Sequence, residues 1–129
     1  MNIKQKIKDI VPEMIEWRHQ IHEKPEIAYQ EKVTSKFIAQ KLKDFGVEVI
    51  QNFGKTGVVG IIEGKQNKEQ EKSIAIRADM DALPMTEKTN LPYSSKNEGA
   101  MHACGHDGHA TMLLGCLLYT SDAADEEDS

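Results

Sequence analysis

The chain has 129 residues, 39% hydrophobic and 29% charged, with 16 basic against 21 acidic side chains and a net charge of −5. That length suits one modest domain with a core of its own. No apolar run reaches membrane-spanning length, and no basic block invites a nucleic-acid polyanion, so neither a membrane nor a nucleic acid is expected as partner. The first residues, Met1 to Asp9, are charged and lack the apolar stretch of a secretory signal. Two cysteines, Cys104 and Cys116, make no disulfide framework, so a cytoplasmic location is expected.

Chain order gives an α/β plan. Apolar residues at 3, 7, 10, 11, 14, 15 and 21 have the spacing of one helical face over Ile3 to His22. Pro12 interrupts it, so either a short helix ends near Ile10 and a second begins there, or one helix kinks. Pro25 closes the segment. Glu31 to Phe45 reads as a second amphipathic helix, with Val33, Phe37, Ile38, Leu42 and Phe45 inward and Gly46 as the residue that ends it. The period then changes. Val47 to Ile50, Val58 to Ile62 and Ser73 to Ala78 are short β-branched runs, the first two suited to a hairpin. The polar stretch Glu63 to Lys72 separates the second run from the third. A long irregular segment, Ala82 to Met101, is of the kind that binds or catalyses. From Gly108 a further helix is expected.

The negative charge is unevenly placed. Residues 116–129 hold Asp122, Asp125, Glu126, Glu127 and Asp128 and no Lys or Arg, so residues 1–115 carry 16 basic and 16 acidic groups and are neutral. A solvated acidic tail is one reading. The other is that Cys116 to Glu126 resembles the conceptual translation of a transposase-type sequencing adapter. On that reading 116–129 is not native and stands outside the fold.

Three stretches carry chemistry. Met101-His-Ala-Cys-Gly-His-Asp-Gly-His-Ala110 places His102, Cys104, His106, Asp107 and His109 within eight residues. Thiolate and imidazole are ligands for zinc and neighbouring divalent metals, and Cys104 and His106, two apart, can grip one centre from an extended loop. Gly105 and Gly108 allow sharp turns between them. A structural zinc knuckle needs four protein ligands and a second cysteine pair that the chain lacks. Asp79 and Asp81 follow the third strand, where α/β sheets place ligand crevices; one could orient a metal-bound histidine. The plainer reading is an Arg77–Asp79 surface ion pair beside a turn-capping Asp81. His19 and His22 share a helical face, and cations at a helix C-terminus explain them better than ligation does. Trp17 reads as a core or rim aromatic.

Trp17-Arg-His-Gln-Ile-His-Glu-Lys-Pro-Glu26, Arg77-Ala-Asp-Met-Asp-Ala-Leu-Pro84 and Met101-His-Ala-Cys-Gly-His-Asp-Gly-His109 together resemble the M20 metallopeptidases, in the hippurate hydrolase and N-acyl-amino-acid amidohydrolase branch. The resemblance implies a zinc-peptidase-like catalytic domain, helices packed on a mostly parallel mixed sheet, with two divalent ions (Zn, Mn, Co or Ni) and a smaller inserted dimerisation domain. Residues 1–115 would be the N-terminal part of that catalytic domain. Cys104 and His106 match two metal ligands, and Asp81 matches an aspartate that follows a ligating histidine by two, a position held here by Asp79. The family's Glu-Glu pair, which supplies the general base, two further histidine ligands and the inserted domain are not in this chain. The parent enzyme would hydrolyse a small N-acyl amino acid to a carboxylate and an amino acid, and would be a homodimer. Two alternatives stand beside it: an inactive truncated fragment, and a metal-binding or redox module built on Cys104.

Overall fold

The computed structural model describes residues 2–64 and 72–127. Its elements are α1 (Ile3–Glu23), α2 (Lys32–Asp44), β1 (Glu48–Phe53), β2 (Gly57–Ile61) and α3 (His106–Glu127). Most of the polar stretch 63–72 lies outside the described residues.

Helix α1 settles the question posed by Pro12: a single helix runs through it. Proline removes one backbone donor there, and the helix continues because turns on both sides are anchored. Asn2 caps the start, its side chain accepting from the Gln5 amide at 3.4 Å. Trp17, Ile21 and His22 are buried at the other end. The expected apolar face is only partly used. Met14 packs on the core, but Ile3, Ile7, Val11 and Ile15 remain 38% to 55% exposed.

Helix α2 takes its N-terminal cap from outside. The Glu26 carboxylate accepts from the amides of Val33 (3.1 Å) and Thr34 (2.7 Å) and from the Thr34 hydroxyl (2.7 Å). A negative charge at these free amides also complements the helix dipole. The C-terminus closes as expected at Gly46, whose φ of 76° is left-handed. The Gly46 amide donates to Lys43 O (2.9 Å) and the Val47 amide to Leu42 O (3.0 Å), a Schellman pair. This turn points Val47 back onto Leu42 and launches β1.

Strands β1 and β2 form the expected hairpin, antiparallel, with Glu48 opposite Ile61 and Phe53 opposite Gly57. A bulge lies between Ile50 and Phe53. The third expected strand does not form. Residues 72–80 have no ladder partner, and Ile74 and Ile76 are 92% and 65% exposed. β-branched residues favour an extended chain, but a strand exists only through hydrogen bonds to a neighbour. The sheet among the described residues is therefore the antiparallel pair alone. The class remains α/β.

Trp17, Leu42, Val47 and Leu114 form the buried apolar centre, drawing one residue or more from α1, α2, the α2–β1 turn and α3. Phe45 packs its ring 5.6 Å from that of Trp17. Residues 116–127, set aside on sequence grounds, continue α3, and Leu117 and Leu118 lie against this centre one turn beyond Leu113 and Leu114.

Candidate metal centre

The site is assembled where three segments meet: the end of α1 with the Pro25 turn, the long segment 82–101, and the start of α3. Backbone bonds tie the first two together. The Ala82 amide donates to Glu26 O (2.8 Å), the Lys96 amide to Glu23 O (2.8 Å), and the Asn97 side chain to Pro25 O (2.9 Å). Leu83 and Met101 pair as an antiparallel bridge, their amides donating to each other's carbonyls at 2.9 and 3.0 Å. The loop is thus a strap with both ends fixed, and its ends carry Asp81 on one side and residues 102–105 on the other.

Asp81 and His106 meet there. His106 Nδ1 lies 2.9 Å from the Asp81 carbonyl oxygen and 3.0 Å from its carboxylate Oδ1. Two acceptors facing one nitrogen select the tautomer with its proton on Nδ1, in which the lone pair is on Nε2. That is the state a metal ligand needs, with its ring direction fixed by a carboxylate. Cys104 is exposed and in no disulfide, two residues before the first turn of α3. Gly105, with φ of 106°, makes the turn between the two, whereas Gly108 lies inside the helix. Helix α3 starts two residues earlier than expected.

An exposed thiol and an imidazole oriented at its far nitrogen fit a divalent ion of borderline softness. They supply two donors. Among the described residues no three His, Cys, Asp or Glu side chains converge to hold an ion.

Asp79 does not join Asp81. It pairs with Arg77 at 2.7 Å on the surface, with side-chain exposures of 44% and 87%, as the plainer reading of that pair has it. His19 stacks on Tyr93 with ring centroids 3.7 Å apart. Trp17 is a core residue.

His22 departs from its sequence reading. It is not a surface cation at a helix end but is 4% exposed, with Nδ1 2.8 Å from Asp107 Oδ2 and Nε2 2.9 Å from Glu87 Oε1. The i, i+3 spacing hid this because periodicity says nothing about loops folding over a helix end. Glu87 sits in a stretch with no periodic pattern at all. Asp107 is 1% exposed, and a fully buried acid calls for a cation, but that burial is not visible in the sequence. His102 is also buried, and neither ring nitrogen has a partner among the described residues. Burial holds its imidazole below the ordinary histidine range.

Residues 75–128 match the Peptidase family M20/M25/M40. The chain is 57% identical over 119 residues to a hippurate hydrolase of Campylobacter jejuni, covering 92% of this chain and 30% of that protein. It is 40% identical over 124 residues to an N-acyl-L-amino acid amidohydrolase of Geobacillus stearothermophilus, covering 96% and 33%. In structure it superposes on a Bacillus subtilis protein described as a dinuclear metal-binding peptidase of the M20 family, with a TM-score of 0.82 and 41% identity over 91% of this chain and 32% of that one. The chain thus spans about a third of the length of the relatives it matches. A fold shared this closely, with the Cys104–His106 loop lying inside the matched residues, leaves one conclusion: the chain belongs to the M20 peptidase family.

Proposed function

We propose that this chain is a segment of a metal-dependent amidohydrolase that cleaves N-acyl amino acids into a carboxylate and a free amino acid. The observation that carries this reading is the Asp81–His106 contact, because it orients an imidazole for a metal two residues along the chain from an exposed thiol, Cys104. The relatives' names, hippurate hydrolase and N-acyl-L-amino acid amidohydrolase, supply the substrate class. Two divalent ions, Zn, Mn, Co or Ni, fit the donor chemistry and the dinuclear relative.

Cys104, as thiolate, and His106, through Nε2, would hold metal. When bound, such ions polarise the scissile carbonyl and lower the pKa of a bound water toward neutrality. Asp81 keeps the His106 proton on Nδ1 so that Nε2 stays available. The base that takes the water's proton, a glutamate on the family pattern, lies outside these residues, as do the remaining ligands. The 129-residue chain is therefore expected to be inactive by itself. Residues 116–129 are, on this reading, adapter-derived, and the complete protein is a cytoplasmic homodimer held through a domain absent here. No helix among the described residues is long and apolar enough to cross a membrane.

The test uses the complete protein that carries this segment. Cys104→Ala and His106→Ala should each abolish metal-dependent amino-acid release from a panel of N-acyl amino acids. Full activity in either variant refutes the ligand assignment. The exposure of Cys104 also suits a redox module. Alkylation of Cys104 that added metal does not slow would favour that reading over the hydrolase.

A further inference from the structure

His22 is held at both ends of its ring in a place almost without water. Its side chain is 5% exposed, and those of Glu87 and Asp107 are each 2% exposed. A carboxylate offers only lone pairs, and a neutral imidazole has one N–H. Either neutral tautomer would therefore aim a nitrogen lone pair at a carboxylate oxygen less than 3 Å away. A proton on each ring nitrogen removes that conflict and turns both contacts into charge-assisted hydrogen bonds.

The surroundings balance such a cation. From α1, Arg18 places Nε 3.2 Å from Asp107 Oδ2, so two cations face two carboxylates. From the loop, the Ser95 amide donates to Glu87 Oε1 at 2.9 Å, and the Thr89 hydroxyl donates to Glu87 Oε2. Burial pushes the Glu87 carboxyl up, but the bonds from Thr89 and Ser95 and the charge of His22 outweigh it and hold the group below its ordinary range. Tyr93 meets the His22 ring edge-on at 5.5 Å, and His102 lies 6.3 Å away between ring centroids.

The contacts join all three segments of the site. His22 lies in the last turn of α1, Glu87 belongs to the strap, and Asp107 is the residue after His106 in the first turn of α3. We propose that His22 is a doubly protonated positioning residue that bridges Glu87 and Asp107, fixing the first turn of α3 and thereby the direction of the His106 ring toward Asp81. Only its consequence for metal binding rests on the function proposed above; the proton count and the ring placement do not.

Nitrogen NMR of the histidine rings in the complete protein tests this without any metal. Near neutral pH, His22 should carry N–H on both ring nitrogens, its signals assigned by their loss in His22→Gln. Glu87→Gln keeps the side chain's shape but removes its charge, and should leave one protonated nitrogen on His22. The His106 Nδ1–H signal should shift in His22→Gln and stay in place in Lys96→Ala, which loosens only an exposed ion pair on the same strap. A single N–H on His22 in the unaltered protein, or an unmoved His106 signal in His22→Gln, overturns the proposal. Co²⁺ titration adds the consequence: affinity should fall about 10–100-fold in His22→Gln. If the unaltered protein binds no Co²⁺, the proposed function fails while the proton count is still decided by the NMR.

Discussion

Trp17 and His22 stand five residues apart on one helix and are both buried, yet they hold the chain together in opposite ways. Trp17 sits among Leu42, Val47 and Leu114, where contacts are numerous, small and without direction. His22 sits between Glu87 and Asp107, where a few contacts depend on angle, proton and charge. The apolar end tolerates loss in proportion to the volume removed. The polar end does not grade: removing one partner strands the others without water. The scaffold is thus forgiving and the junction that presents His106 is not.

The largest effect should come from breaking the polar end. Asp107→Ala strands the buried His22 ring, while Arg18 keeps its water, and should destabilise by about 3–5 kcal/mol, read from urea unfolding of the complete protein. Adding His22→Ala to it should cost much less than a second full penalty, a non-additivity of about 0.5–3 kcal/mol. Strict additivity would mean that the two residues do not act as a unit. At the apolar end, Leu42→Ala should cost about 2–5 kcal/mol by the same measurement, and Leu42→Met under about 1.5 kcal/mol. Equal costs for the two would show that the core is not graded by volume.

Between the two ends lies the turn that starts the hairpin. Gly46→Ala puts a Cβ on a left-handed residue and should lower stability by about 1–2 kcal/mol. A smaller, pH-dependent effect belongs to His102. Its folded-state pKa is depressed, so the unfolded chain binds more protons below the ordinary histidine value near 6.5. Its contribution is complete above that value and is lost as pH falls from there through the folded-state pKa. Urea midpoints taken from neutral to mildly acid pH should fall less steeply in His102→Phe than in the unaltered protein. The smallest effect is Arg77→Ala, an exposed pair worth about 0–1 kcal/mol, within error in a denaturation curve.

What could be read from the sequence divides along the same line. Leu42 and Gly46 follow from helical period and helix-ending chemistry, which are local. So does the hairpin; the proposal that Cys104 and His106 hold metal rests on a signal of the same local kind, their spacing. Ser73 to Ala78 misled because its residues favour an extended chain, while pairing depends on a neighbour that no local pattern reveals. His22 misled for a related reason, and Glu87 drew no reading at all. The two partners of His22, Asp107 and Glu87, are 85 and 65 residues away along the chain, and such a buried contact leaves no period behind. The outward face of Ile3, Ile7, Val11 and Ile15 shows the converse, an apolar stripe of helical period that stays 38% to 55% exposed.

One measurement bears most directly on the claim that this junction presents a metal ligand pair. The complete protein, stripped of metal, is titrated with Co²⁺ while its absorption is followed. A thiolate-to-cobalt band should grow with added ion, vanish in Cys104→Ser, and appear only at about 10–100-fold higher Co²⁺ in Asp81→Asn, where His106 Nδ1 keeps the backbone carbonyl but loses the carboxylate. A band that persists unchanged in Cys104→Ser would contradict the assignment outright.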